Sequence, residues 1–351
     1  MLISRLVGGA RRPRLRVVAN GAILTSAIHA RVISTAYYAA DSFSVTLPIN
    51  AGPFTGADYW SSSGSNEIAV EFSIDGGMTF MTAIEGLVDR LVLDPICGTA
   101  VLEGRDFTSY FVDTILREQY LNRSASEIAQ TFAEGHGLAP SVTPTSRLVG
   151  RYYQGNRTRT TLSRDTTCTT EWDLLVALAR FEDFEVFVQG RSLFFQPRPL
   201  APRVVFGIDP SVLCALKMEY LPSITDAFEV KVQSWNSERQ SPVTSVASSN
   251  SSIQTGVTSG TGVPSKSYVI TRPNLTIEEA ELMATQALRE IQLHRKIISL
   301  EMPGDTVLTP RQGIQLSGTG TMFDQVYLVE SVERSFAPGT GFIQHVRAVD
   351  I

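Results

Sequence analysis

Short runs of alternating residues, each closed by turn chemistry, constrain this chain more than any other feature. Phe43, Val45 and Leu47 fall on one face while Ser42, Ser44 and Thr46 fall on the other. That is the period of a half-buried β-strand. Arg14 to Val18, Ala30 to Ser34, Ile68 to Ile74 and Leu87 to Leu93 share the β-branched and aromatic character of strands. Asn20-Gly21, Asn50-Ala51-Gly52-Pro53 and Asp75-Gly76-Gly77 separate them, with residues that accept the backbone angles of tight turns. Asp75-Gly76 after Val70–Ile74 predicts a hairpin. Strands at this spacing predict an antiparallel barrel or sandwich.

The middle of the chain changes period. Ser124 and Glu127 have capping-box spacing, and Ala125, Ile128, Ala129 and Phe132 then share a helical face that Gly135 ends. Thr170 and Asp173 open a second helix from about Glu171 to Phe181, burying Trp172, Leu175, Val176, Leu178 and Ala179. Phe184–Val188, Gln189-Gly190 and Ser192–Phe195 form a hairpin stopped by Pro197 and Pro199. From Pro202 strands return at Val204–Phe206, Ala215–Leu221 and Ala227–Trp235. Ser237 to Ser265 lacks aromatics and is dominated by Ser, Thr, Gly and Val, so a flexible loop or a partner-ordered arm is expected. Thr276 and Glu279 then cap a helix over 277–293, with Ala280, Met283, Ala284, Ala287, Leu288 and Ile291 in one stripe. His294-Arg295-Lys296 suit its C-terminal dipole. Ile297–Met302, Gly313–Leu316, Gln325–Glu333 and Gly341–Val349 complete the strands. The expected fold class is mainly β with an α+β insertion. Its parts are a first β-barrel over 1–103, a small α/β module over 104–200, and a second β-barrel over 201–351 carrying the helix and the 237–265 loop.

Composition narrows the function. With 351 residues, 43% hydrophobic and 19% charged, the chain can bury a core without staples. A net charge of −5 with scattered basic residues argues against sequence-specific nucleic-acid binding. The exception is Arg11, Arg12, Arg14 and Arg16. One reading makes this run an anchor for an acidic partner or phosphate; the other makes it a solvated strand edge or subunit contact, and it is the candidate interface. Cys97, Cys168 and Cys214 lie far apart without C-x-x-C spacing, and are expected to be buried small hydrophobes in a reducing compartment. No run reaches the roughly 18 apolar residues of a membrane span, so no membrane insertion is expected. The opening Met1 to Val7 runs into arginines, unlike a secretory signal.

Catalytic chemistry has few places to reside. Of four histidines, His136 in Gly135-His136-Gly137 has the most suggestive setting. It reads either as a general base with Glu134 beside it or as a turn residue after a helix. His294 belongs to a basic helix end, and His29 and His345 fall on strands. Glu182-Asp183 and Glu278-Glu279 fit a turn and a helix first turn. No histidine pair has metal-ligand spacing and no Gly-rich phosphate loop precedes a helix. The chain is expected to be no enzyme and to use no cofactor or metal.

An ordered set of motifs carries a resemblance. Leu102-Glu-Gly-Arg-Asp-Phe-Thr-Ser-Tyr-Phe-Val-Asp113 precedes Ser124-Ala-Ser-Glu-Ile-Ala-Gln130, Ala133-Glu-Gly-His-Gly-Leu138 and Gly150-Arg-Tyr-Tyr153. Glu171-Trp-Asp-Leu-Leu175, Phe184-Glu-Val-Phe-Val188 and Leu193-Phe-Phe-Gln-Pro197 follow. Over residues 35–235 the set resembles the late control D family of phage baseplate hub proteins. The resemblance implies two tail-tube-like barrels per chain and a homotrimeric ring adapting a six-fold tube to a three-fold spike. DNA or tape measure protein would pass through that ring. Implied partners are further copies of the chain, a tail tube or distal tail protein, the tape measure protein and a separate spike protein, since the chain ends soon after its last strand. The implied place is the virion baseplate, assembled in the host cytoplasm. The alternatives are a cell-wall-binding or peptidoglycan-hydrolysing tail component, and a distal tail or tube-terminating ring protein.

Overall fold

A computed structural model describes residues 3–5, 11–49, 66–116, 120, 122–149, 168–199, 201–222, 228–236, 240–248, 251–254, 266–273 and 275–351. The turn expected at Asn50–Pro53 and the Gly150–Tyr153 motif lie outside these residues. The fold is mainly β with an α+β insertion.

The first stretch contains β1 (Ile3–Arg5), β2 (Arg14–Ala19), β3 (Ala22–Leu24), β4 (His29–Thr35), β5 (Ser42–Pro48), β6 (Glu67–Ser73), β7 (Met81–Asp94) and β8 (Thr99–Asp106). Next come α1 (Thr108–Asp113), β9 (Arg123–Ser124), α2 (Ala125–Gly135), β10 (Ala139–Val142), β11 (Leu148–Val149), α3 (Glu171–Glu182), β12 (Phe184–Gln189) and β13 (Ser192–Pro197). The last stretch has β14 (Val205–Ile208), β15 (Ala215–Tyr220), β16 (Phe228–Asn236), β17 (Ser241–Ser248), β18 (Ser251–Gln254) and β19 (Lys266–Thr271). It closes with α4 (Ile277–Gln292), β20 (Lys296–Pro303), β21 (Gly313–Leu316), β22 (Val326–Ala337) and β23 (Gly341–Val349).

Strands β2 to β8 surround one core in which Val17, Val32, Phe43, Val45, Val70, Phe72 and Leu102 are buried. The alternation of β5 places Phe43, Val45 and Leu47 inward, as their spacing requires. Strands β14, β15 and β20 to β23 surround a second core built on Ile298, Leu300, Ile314, Tyr327 and Val346. The two expected β-regions each have their own core, and β22 pairs antiparallel with β4, from Ser331↔Thr35 to Phe336↔Ala30, so that both share one 14-stranded sheet. Phe342 of β23 crosses the seam and stacks on Phe72, with ring centroids 4.5 Å apart.

Between β8 and β14 the α/β module buries Phe107, Phe111, Ile128, Phe132, Trp172, Leu175, Leu178, Leu193 and Phe195 in its own core. Three capping boxes form where the sequence places them, at Ser124/Glu127, Thr170/Asp173 and Thr276/Glu279. In each, the hydroxyl accepts the third helical N–H and the carboxylate accepts the cap N–H, which satisfies two donors that a helix start leaves open. Ser124→Ala is expected to lower the unfolding free energy by about 1 kcal/mol, read from denaturant curves. Helix α2 runs through Gly135, and the left-handed residue past its end is Gly137, at φ +71.

Ser237–Ser265 departs from the flexible loop expected. Its described residues contribute β17 and β18 to a four-stranded sheet ordered β18-β17-β16-β19. Val243, Ser245 and Ala247 point inward, and Ala280, Ala284 and Leu288 of α4 supply the apolar half of that core. The segment cannot bury itself, but it needs to supply only one side of an interface. The cysteines also depart from expectation: Cys97 and Cys214 are exposed and Cys168 is half-buried. Cys97 sits in the β7–β8 turn, where its N–H donates to Asp94 Oδ1 at 2.9 Å, a position chosen by backbone geometry and not by burial. Among the described residues no helix is long and apolar enough to cross a membrane.

Candidate functional site

The β4–β5 connection, Ala36 to Asp41, touches every major part of the molecule. Ala36 N–H donates to the Glu330 carbonyl at 2.7 Å, and its own carbonyl accepts from Arg311 Nη2 at 3.3 Å. The Tyr37 hydroxyl donates to the buried Glu330 carboxylate and stands 2.7 Å from His294 Nε2, just past α4. Arg347 donates to the second Glu330 oxygen. Burial pushes the Glu330 pKa up against that cation.

Tyr38 reaches the opposite way, into the α/β module. Its carbonyl accepts from Trp172 Nε1 at 3.0 Å. Its hydroxyl donates to the Phe184 carbonyl at 3.3 Å and accepts from Arg198 Nη2 at 2.9 Å. Arg198 and Arg289 then bind Glu290 and Asp183, tying α4 to the module at 3.5 Å and 2.6 Å. Two adjacent tyrosines therefore hold the module, α4 and the second β-region around one turn.

Beneath this turn lies a cavity of about 460 Å³. Its walls come from Phe72 and Ile84 of the first β-region, Glu185 and Phe187 of the hairpin, and Arg311 and Arg334 of the second β-region. Arg311 stacks its guanidinium 3.8 Å from the Phe187 ring centre and donates to Glu185 Oε2 at 3.1 Å. Arg334, 3% exposed, donates to the carbonyls of Asp305 (2.9 Å) and Leu308. Burial lowers the pKa of both arginines, that of Arg334 to about 10.

Two carboxylates share the cavity. Asp106 is 7% exposed and accepts from Thr108 N–H at 3.2 Å and Thr108 Oγ1 at 3.0 Å. Asp41 accepts from Thr35 N–H at 2.9 Å, and the Asp106 N–H donates to the Asp41 carbonyl at 3.0 Å. Loss of water raises Asp106 to about 8, with the neighbouring Asp41 charge adding to the shift. Loss of water also raises Asp41, to about 6, against the hydrogen bond from Thr35 and the pull of Arg311 and Arg334.

The candidate interface arginines separate into two kinds. Arg11 reaches the second β-region, donating to the Pro303 and Gly304 carbonyls and pairing with Asp305 at 3.5 Å. Arg16 pairs with Glu71 and lies 4.0 Å from the Phe80 ring centre. Arg12 and Arg14 are exposed. Strand β3 covers β2 only opposite Val17 to Ala19, so the edge beside Arg14 and Arg16 is open among the described residues.

His136 sits at the α2 C-cap, stacked on Tyr110 and edge-on to Phe111, with Nε2 2.7 Å from Glu171 Oε2. Its chain neighbour Glu134 accepts from Gln130 Nε2 at 2.7 Å, so the acid–base pairing weighed from sequence is not assembled. His345 lies 3.8 Å from Glu301 on the surface. Among the described residues no three His, Cys, Asp or Glu side chains converge as a metal site. Sequence reasoning did not single out Tyr37, Tyr38, Asp41, Arg311 or Arg334; Asp106 stood only as part of the Gly-Arg-Asp turn.

No protein-family model matches the sequence, and no match is found among the curated proteins. Solved structures do match. A tail protein from Neisseria meningitidis aligns at TM-score 0.68 and 13% identity, over 96% of each chain. The 43 kDa tail protein of prophage MuSo2 from Shewanella oneidensis aligns at TM-score 0.68 and 13% identity, over 97% of this chain and 100% of the other. An E. coli type VI secretion component, described as similar to the T4 tail proteins gp27 and gp5, aligns at TM-score 0.54 and 11% identity, over 95% of this chain and 76% of the other. This chain has, over nearly its whole length, the fold of phage and prophage tail proteins.

Proposed function

We propose that the chain is a structural hub of a phage tail baseplate, three copies closing into a ring that adapts a six-fold tube to a three-fold spike. The supporting observation is two β-regions, each around its own core, fused in one sheet. Three such chains present six units, which matches both symmetries. The β16–β19 sheet fits the role. Covered by α4 on one face, it bears Glu229, Lys231, Gln233 and Thr244 together with the exposed Val269 and Trp235 on the other. A face on which Lys231 is balanced by Glu229 suits a passage for DNA, because it holds no excess of cations to retain phosphate. Tail tube or distal tail protein and tape measure protein would meet one end of the ring, and a separate spike protein the other.

Imaging and solution mass test this reading, with a three-fold ring as the expected result. A chain that stays monomeric at high concentration and binds neither tube nor spike protein would refute it. Arg12 and Arg14 are proposed as subunit contacts. Changing both to glutamate is expected to weaken self-association about tenfold, equivalent to about 1.4 kcal/mol, without moving the thermal midpoint.

A further inference from the structure

The two β-regions follow one strand plan. In the first, β6 pairs with β7, β7 with β8, β8 with β5 and β5 with β4, all antiparallel. In the second, β21 pairs with β22, β22 with β23, β23 with β20 and β20 with β15, again antiparallel and in the same chain order. The β16–β19 sheet and α4 are inserted between β15 and β20. The irregularities agree as well: β7 shifts register against β8 between Val88 and Arg90, and β22 against β23 between Val329 and Ser331. The first strand of the plan departs, because β2 joins β6 antiparallel whereas β14 joins β21 parallel. Matching the two ladders makes β15 the counterpart of β4, and β7 the counterpart of β22.

The seam inside the chain uses β4 of one region and β22 of the other. Their counterparts both have an open edge. Strand β15 pairs with β20 alone, and β6 covers β7 only as far as Leu87. From Asp89 to Asp94 that edge of β7 therefore meets no strand among the described residues. The Leu221 N–H donates to the Arg295 carbonyl at 2.9 Å, so alternation turns the backbone groups of Glu219 and Lys217 toward β20 too. Those of Leu216, Met218 and Tyr220 face outward, and such an edge is a template for another strand.

Resting on the reading of the chain as a three-copy ring, we infer that β15 of one copy pairs antiparallel with the open edge of β7 in the next. This repeats between chains the seam that β4 and β22 form within one. Carrying the β4–β22 register across the matched ladders sets Tyr220 opposite Leu91, Glu219 opposite Val92, Met218 opposite Leu93 and Lys217 opposite Asp94. The residues suit these places. Leu91 leans on the first core and Met218 on the second, so both belong to the inward face of the joined sheet. On the outward face Lys217 meets an opposite charge. Val92 and Tyr220, 38% and 40% exposed, would be covered. The contact is head-to-tail, and it closes because each copy carries both edges.

Disulfide trapping on the full chain tests the seam. With Cys97, Cys168 and Cys214 changed to serine, Val92→Cys combined with Glu219→Cys places two thiols at a facing pair between copies. Oxidation is expected to give covalent trimers, because every copy bears both edges. Val92→Cys combined with Ala215→Cys lies far out of register and should stay uncoupled. A three-fold ring that yields no covalent product with the first pair, or the same yield with both pairs, would overturn the seam and leave the ring standing. A chain that stays monomeric throughout would overturn both. Tyr220→Pro is an independent arm: it removes an outward N–H and leaves the bonds to β20 in place. Self-association is expected to weaken about tenfold with little change in the thermal midpoint. Unweakened association would also overturn the seam.

Discussion

Gly104→Ala is expected to cost about 3 kcal/mol or more in unfolding free energy, at the upper end of what overpacking usually costs. A Cβ there would stand 1.9 Å from the Leu87 carbonyl oxygen and 2.6 Å from Phe43 Cζ. Across the same ladder, a Cβ on Gly86 would meet the Arg105 carbonyl oxygen at 1.9 Å. The register shift between Val88 and Arg90 presses β7 onto β8 at this point, and only residues without a side chain fit the crossing. The two carbonyl oxygens are backbone and cannot swing aside as a side-chain end could, so the two strands would have to part. Denaturant titration should show a lower midpoint with little change in slope. Gly135→Ala is the contrasting control: a Cβ there meets nothing within 4 Å, in a helix, and should stabilise by about 0.5–1 kcal/mol.

Arg334→Met should be at least as damaging, at about 3–5 kcal/mol, because it removes the cation from a buried polar cluster and leaves its partners in place. The Asp305 and Leu308 carbonyls would each lose a donor, and Asp41 would lose one of two arginines that favour its charged form. The loss should grow with pH. At pH 5 Asp41 holds its proton and asks little of Arg334; at pH 8 it is ionised and faces only Arg311. Urea titrations of both proteins at the two pH values read this directly, and an equal loss at both would show that Arg334 acts through packing alone.

What the sequence disclosed and what it hid divide by distance along the chain. The capping boxes at Ser124, Thr170 and Thr276 were legible because hydroxyl, carboxylate and backbone partner lie within four residues. The Phe43–Leu47 alternation was legible because a strand's two faces are written in successive residues. The β4–β22 seam was not: Arg31 and Glu333 meet at 2.6 Å across 302 residues, and neither strand carries a local mark of its partner. Ser241–Ser248 was misread for a related reason. Its inward residues are small and look inadequate until α4, a stretch further on, supplies the rest of the core.

The junction was hidden in another way. Tyr37, Tyr38 and Asp41 occupy a connection whose sequence says only that a turn occurs. Arg311 and Arg334 look like ordinary surface arginines until β22 and the 309–312 turn carry them inward. A buried charge announces itself in sequence only when its partner is close by. Here the partners come from different regions, so the Gly-Arg-Asp turn at Asp106 was visible as a motif while its burial beside Asp41 was not.

The β4–β22 seam also governs when this protein can finish folding during its synthesis. Strand β4 gains β5 within a few residues, but its other edge, His29 to Thr35, waits until nearly the whole chain has left the ribosome. Phe336 and Phe342, which complete the first core, arrive equally late. Contacts of such sequence separation are slow to form, and an unpaired strand edge is a template for wrong pairing in the meantime. Chains released early would carry a nearly complete first region with an open seam. The yield of native protein should therefore depend steeply on synthesis rate and temperature, far more than the stability of the finished molecule would imply.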